Sequence, residues 1–549
     1  MGAALALPRG TVLDAAGTPL RPSASHGRHV RRHGATAKGQ LVNWINQVVG
    51  ARVAEREKRV VSDRAADLYV NSAIAKGVID GVVTEMVGTG LTPLPAPMLE
   101  HLGLGNDWSE EWSAACESLF ERWGFDPRHW CDHTRRMNAY QLQALAAFYW
   151  HLDGIALFQV RFTRDPLRPS GLSLLPIDPT RLQTPQGKEH SAAEIYDGVE
   201  VDAEGAPVAV HITRPSPAGT YSKTGGASVR VPLWHAETGL PQVLLVCDVR
   251  NVAEYRQDSL LSSVIPEIKT NDDLVEAALI RTMLLNLFTL YVSQETPGAG
   301  FPGITAPMAG TGSADPQQVD WAQRVYELSK GLVLEGPPGY KPEPIENSAP
   351  GPGFSDMWRS IISRVGMATQ RGSENVLREY NASYSASLAS IENAERFSEL
   401  GRCVLNSTYN QPVHSWLLYE RFLAGELPVP ARYTRERFLR ELYAFTRAEW
   451  LPPPARVIRP DVQAKANQVN LETGADTLPD IYARRGLKWR EQRRKTAQVK
   501  AYDLRLEREF PGISMTDAPP APEPPTGRGP DDEDEPIDGA DEEETIDAP

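Results

Sequence analysis

Cysteine is scarce in this chain. Cys116, Cys131, Cys247 and Cys403 are the only four, far apart and in no Cys-x-x-Cys pair. That pattern argues against a disulfide framework and fits a reduced, intracellular setting. Long apolar runs are also missing. The longest, "ALIRTMLLNLFTLYV", is short and interrupted by Arg281 and Asn286, so no membrane span is expected. The opening "MGAALALPRG" lacks the basic start and long apolar centre of a signal peptide, and Ala6 stands where myristoylation wants Ser or Thr.

Catalytic signatures are absent as well. No G-x-x-x-x-G-K-[ST] loop occurs; "GPPGYKP" has neither its spacing nor its terminal hydroxyl. "VGTGLTP" contains G-x-G, but a proline follows and the third glycine of a dinucleotide site is missing. The stretch "REYNASYSASLASIENAERF" (378–397) is crowded with serines, yet neither Ser383 nor Ser385 has the glycines that a nucleophile elbow needs. Ser385 is followed three residues later by Leu388, so S-x-x-K is missing too. In "RHWCDHTRR", His129, Cys131 and His133 alternate and would share one face of a strand, where a metal is conceivable. Further ligands at a recognisable spacing do not appear, and a surface turn is the preferred reading.

What is present is a nearly neutral body between two charged ends. The formal net charge is −14, but residues 517–549 alone hold 13 acids and one base. The first 516 residues therefore carry 58 acids against 56 bases. The acidic end is rich in Pro and Gly and reads as disordered. The first 40 residues hold six bases, three histidines and one acid, and read as a basic arm, also disordered. Solvation and contact with a partner or DNA are both open readings for these ends.

Between them, 41–90 and 107–152 have helical spacing, with Trp108, Trp112 and Trp123 placed for a core face. From about 155 to 250, short Val- and Leu-rich runs are broken by Gly, Pro and Asp, and "DAEGAP" signals a hairpin. A long helix is expected over 269–294, with Thr270 or Asn271 as its cap and Asp272 and Asp273 in its first turn. A Gly/Pro-rich insertion follows, with a short helix at 318–329 and a strand at "KGLVLE". A second long helix starts near Ser355, and Phe354, Met357, Trp358, Ile361, Ile362 and Val365 form one stripe on it. A polar loop then precedes a helix from Tyr384, whose Leu388, Ile391, Ala394 and Phe397 make a buried stripe. Helices continue to about 505, interrupted by "LPPPARVIRPD". The fold class is α+β, mainly helical, with two long helices flanking a compact insertion.

Several segments, in this order, carry a resemblance. They are "NSAIAKGVIDGVVTEMVGTGLTPLP", the Trp-rich run from Trp108 to Val160, "LSLLPIDPTRLQTP" with "IYDGVEVDAEGAPVAVHI", the serine-tyrosine stretch, and "NLETGADTLPDIYARRGLKWREQ". Over roughly 40–510 the chain resembles the lambda-like portal proteins of tailed bacteriophages. The family's Asn-Tyr-Ser-Ser-x-Arg-like run is altered here to Ser383-Tyr384-Ser385-Ala386-Ser387-Leu388. The resemblance implies a ring, typically a dodecamer, at one capsid vertex of the virion, through which double-stranded DNA is packaged and ejected. It implies no catalysis and no cofactor. The implied partners are the terminase large subunit, a head-completion or adaptor protein and the major capsid protein, with assembly in the host cytoplasm and no membrane.

In family terms, 1–40 is the arm, 41–268 the wing, 269–294 the first stem helix and 295–352 the clip. Residues 353–370 are the second stem helix, 371–383 the tunnel loop, 384–510 the helical wing and crown, and 511–549 the tail. Met357, Trp358, Ile361, Ile362 and Val365 are the expected stem-packing residues. Arg371, Arg378, Tyr380 and Asn381 are the expected DNA-channel residues, because Arg and Asn can touch phosphates without reading sequence. A soluble hydrolase with an unrecognised site, or another phage head structural protein, is the alternative.

Overall fold

The computed structural model describes residues 51–185, 194–214, 228–250, 254–292, 332–335, 353–379, 384–454 and 460–510. The helical spacing after residue 50 becomes helices α1 (Ala51–Asn71) and α2 (Ala73–Met86). Ser72 separates them, and its hydroxyl accepts the Ala75 N–H as an N-cap. After strand β1 (Thr92–Pro95) come α3 (Leu99–Leu102), α4 (Asn106–Phe125) and α5 (Ala139–Asp153). A capping box between Asn138 and Gln141 starts α5. The tryptophans expected to be core are so: Trp112 and Trp123 are buried, and Trp108 packs against that core and stacks on Trp112.

The segment after 155 is β-rich, as its texture implies. It contains β2 (Ala156–Phe162), β3 (Leu172–Ile177), β4 (Glu194–Tyr196), β5 (Val199–Val201), β6 (Pro207–Thr213), β7 (Ser228–Pro232) and β8 (Val243–Val246). Two antiparallel sheets result, with strand orders β3-β2-β8 and β4-β5-β6-β7. "DAEGAP" is the β5–β6 connection. Asp202 accepts the N–H groups of Glu204 and Ala206, and Gly205 takes the left-handed φ of 86°. The inner faces of the two sheets share a core of Leu157, Ile177, Val199, Val210 and Val243.

Helix α6 (Ile265–Leu287) comes next, then strand β9 (Phe288–Val292) paired in parallel with β10 (Leu332–Glu335), the strand expected at "KGLVLE". The expected helix at 318–329 lies outside the described residues. Helices α7 (Phe354–Ala368), α8 (Gly372–Leu377) and α9 (Tyr384–Leu405) follow. A π-helical turn at Asn406–Asn410 joins α9 to α10 (Gln411–Leu423), where Pro412 lacks the N–H that would continue the regular ladder. Then come α11 (Arg435–Arg440), α12 (Leu442–Thr446), β11 (Ala448–Leu451), α13 (Pro460–Thr473), α14 (Leu478–Arg484) and α15 (Trp489–Glu509). β11 pairs antiparallel with β1, tying the late helices to the first ones. The largest core gathers α2, α4, α5, β2 and β8 around α10 and α12.

Two histidines are sealed in this core. His414 on α10 has no hydrogen-bond partner at either ring nitrogen and packs edge-on against Trp450. Burial pushes its pKa down to about 4. His151 on α5 is also pushed down to about 4 by burial, although its Nδ1 lies 2.7 Å from the Ala147 carbonyl. A neutral imidazole in the folded chain takes its proton first in the unfolded chain. The stabilisation is therefore present above pH ~6.5 and is lost as pH falls from there to about 4. Each histidine contributes about 3 kcal/mol to that loss. The melting temperature should drop across this window, and His414→Leu should flatten the drop while leaving stability at pH 8 nearly unchanged. Calorimetry at pH 8, 6 and 4.5 reads this directly; an unchanged slope in the variant would refute it.

Candidate functional site

The helix pair α6–α7 and the turn after it collect the residues on which function is expected to rest. α6 starts earlier than its sequence caps suggest. Leu261, Val264 and Ile268 dock in a second core cluster with Ala65, Leu68, Ile79 and Val365, which draws the helix start back to Ile265. Asn271 is thus not a cap but a buried residue inside the helix. Its other end also differs: 288–292, with Phe, Thr, Tyr and Val, pairs as a strand instead of extending the helix to 294.

Contacts near the start of α6 and the end of α7 join the two helices. Arg364 donates to Glu267 at 2.8 Å, and Val365 lies with Ile268 in one cluster. α6 therefore leaves the core where α7 returns to it. Of the expected stem residues, Ile362 and Val365 are fully buried, Trp358 and Ile361 are half-buried, and Met357 is 47% exposed. On α6, Val275, Leu279, Ile280 and Met283 are between 43% and 56% exposed. An apolar row of this kind, continuous along one helix and uncovered by the described residues, is a feature of interaction surfaces.

The stretch 371–383 is not a loop throughout. Gln370 and Gly372 take left-handed φ values of 58° and 70°, turning the chain sharply, and 372–377 then form α8. The turn is tight enough that a Cβ on Gly366 would fall 2.7 Å from the Gly372 and Ser373 backbone. Val376 packs on the second core cluster, and Asn375 donates to the carbonyls of Arg371 and Ser390, fastening α8 to α9. The polar look of "RGSEN" concealed this short amphipathic turn.

Arg371 is directed inward, contrary to the channel-facing role expected from the sequence. It is 4% exposed and donates to Glu85 Oε1 of α2 at 2.5 Å. Gly81 leaves room for the guanidinium; a Cβ there would sit 2.9 Å from Nη2. Arg402 on α9 donates to the Glu85 carbonyl at 3.0 Å and pairs with Glu395. Met86 meanwhile covers Gly401. Glu85 thus joins α2, the turn after α7, and α9. Sequence reading missed Gly81, Glu85 and Arg402; a glycine within each of three helices (Gly81, Gly366, Gly401) is the signal that could have found this junction.

Arg378 is exposed and holds the left-handed φ of 57° at the end of α8. Tyr380 and Asn381 lie outside the described residues. On α9, Ala394 is buried and Phe397 packs on the main core, as expected, with Ile391 half-buried. Of the three alternating residues in "RHWCDHTRR", Cys131 is buried. Its thiol donates to the carbonyls of Gly124 and Met137, and burial pushes it up to about 12. Among the described residues no group of three His, Cys, Asp or Glu side chains could hold a metal ion, and no helix is long and apolar enough to cross a membrane.

Residues 37–400 match the family model described as phage portal protein, lambda family. No curated protein matches the sequence. Among the solved structures that are similar, three at low identity are these. The neck of the native GTA particle computed with C12 symmetry is 12% identical, covering 75% of this chain and 89% of that one, with a TM-score of 0.36. The virion of the native gene transfer agent particle is 12% identical, covering 79% and 94%, with a TM-score of 0.38. The neck of the empty GTA particle computed with C6 symmetry is 13% identical, again covering 79% and 94%, with a TM-score of 0.38.

Proposed function

Because the chain belongs to the lambda family of phage portal proteins, we propose that copies of it close into a ring through the α6–α7 pair and conduct double-stranded DNA through the centre. The observation that carries this reading is the exposed apolar row Val275, Leu279, Ile280 and Met283 on α6; Met357 on α7 is exposed as well. A single chain leaves that row in water, whereas neighbouring copies around an axis would bury it. In this reading 41–268 is the wing, 269–294 and 353–370 (most of α6, and α7) the stem, 295–352 the clip, and 384–510 the rest of the wing and the crown. The clip meets the terminase and later the head-completion protein. The capsid protein surrounds the ring, which assembles in the host cytoplasm.

A conduit must hold DNA without trapping it, since each neutralised phosphate adds salt-dependent affinity. A body with 58 acids and 56 bases suits that requirement. Arg378, exposed at the end of α8, is the described residue that fits a phosphate contact, with Tyr380 and Asn381 just after it. Arg371 instead holds the base of this segment. The mass of the purified protein in solution tests the ring: a closed oligomer is expected, and a monomer at micromolar concentration would overturn it. Arg378→Ala should leave the ring mass unchanged and lower the yield of DNA-filled heads several-fold. Heads filled as well as wild type would remove Arg378 from the channel.

A further inference from the structure

The connection between α4 and α5 builds a basic surface that the conduit reading does not use. Trp130 is its centre. Three guanidinium groups lie over the indole: Arg135 at 4.1 Å from the ring centroid, Arg168 at 5.0 Å and Arg128 at 5.4 Å. Arg136, on the same connection, is exposed. Trp130 is 7% exposed, yet its Nε1 has no acceptor, and Arg168 Nε and His129 Nδ1 are likewise buried without partners.

The acids nearby are already committed. Asp126 is bidentate with Arg128. Asp132 accepts the N–H groups of Thr134, Arg136 and Met137. Asp165 accepts from Leu167 N–H, and Glu420 from Ser170, Gly171 and Arg421. Among the described residues no carboxylate lies within ion-pair distance of Arg135, Arg136 or Arg168. Arg135 and Arg168 each donate one N–H to a backbone carbonyl, of Arg128 and Trp130, and Arg136 donates one to Thr134. Their remaining donors and charges converge beside one indole, and a ligand rich in carboxylates would complete them.

We propose that this surface docks the chain's own acidic segment, residues 531–549, which carry 11 acids and no base. Reach permits it. Lys488, just before α15, pairs with Glu117 and Glu121 of α4 at 3.3 and 2.8 Å, and a single turn separates Glu121 from the basic connection. α15 has 21 residues and spans about 30 Å. The 21 residues from Phe510 to Pro530 can span about 70 Å, more than enough to return from the far end of that helix. Bound there, the segment neutralises the arginines and keeps other polyanions off this surface.

A labelled peptide of residues 531–549 tests this by fluorescence anisotropy against three full-length proteins. One is wild type. The second has the 11 acids of that segment replaced by Asn and Gln. The third adds Arg128→Gln and Arg135→Gln to the second; both arginines are exposed, so folding should survive, which melting temperature verifies. The peptide should bind the second protein at least tenfold more tightly than wild type, whose own segment competes, and the third at least tenfold more weakly than the second. Replacing both arginines by Lys should restore binding. Equal affinity for all three proteins would overturn the proposal. So would a short DNA duplex that binds the arginines of wild type and the second protein equally, because DNA would then be the occupant and the segment no competitor.

Discussion

Leu279→Asp together with Ile280→Asp should leave the subunit folded and abolish the ring. Both side chains are about half exposed in one chain, 54% and 49%, so neither substitution opens a cavity in the core. The charge matters only where a second copy would cover it. There, an unpaired carboxylate in an apolar contact costs several kcal/mol. A loss of about 3 kcal/mol per interface weakens each contact by roughly 150-fold, and a closed ring repeats the loss at every interface. The expected result is a folded monomer that still unfolds in one cooperative transition, read by mass in solution and by calorimetry. Ile362→Asp is the contrast. Ile362 is fully buried within the chain, so its charge should lower the melting temperature of the subunit itself. If the α6 double variant still forms rings of normal mass, the apolar row is not the subunit contact.

Legibility in the sequence followed the kind of signal involved. The Val- and Leu-rich runs between 155 and 250 and the "DAEGAP" turn survive in the structure because strand propensity and turn chemistry are local, although β6 is buried on both faces from Ala209 to Ile212. The stripe on α7 is similarly local, and Ile362 and Val365 are where it placed them. The start of α6 was misread because a good cap, Thr270 or Asn271, lost to the tertiary burial of Leu261, Val264 and Ile268. The strand at 288–292 needed a partner more than 40 residues away to stabilise it over a helix. The role of Arg371 was the least legible. An arginine in a polar stretch reads as exposed, and only the room above Gly81 on a distant helix turns it inward.

Arg371→Ala is the second large effect, and its sign of failure differs from that of a DNA contact. The guanidinium meets Glu85 where both are shielded, and Glu85 Oε2 already lacks a partner. Removing the cation leaves a shielded carboxylate uncompensated and should cost about 3 kcal/mol. It also frees the turn that Gly366 and Asn375 hold against α9, so the end of α8 and Arg378 lose their anchor. Glu85→Gln alone leaves the arginine buried without its counter-charge and should also destabilise. Arg371→Met with Glu85→Gln removes both charges and should recover most of the loss, since the pair is costly to break but inexpensive to replace as a unit. Denaturant unfolding of the subunit measures all three. Were Arg371 a phosphate contact, Arg371→Ala would instead leave unfolding unchanged and reduce only DNA packaging. The double variant would then package no better than the single one, because restoring the junction cannot restore a lost contact with DNA.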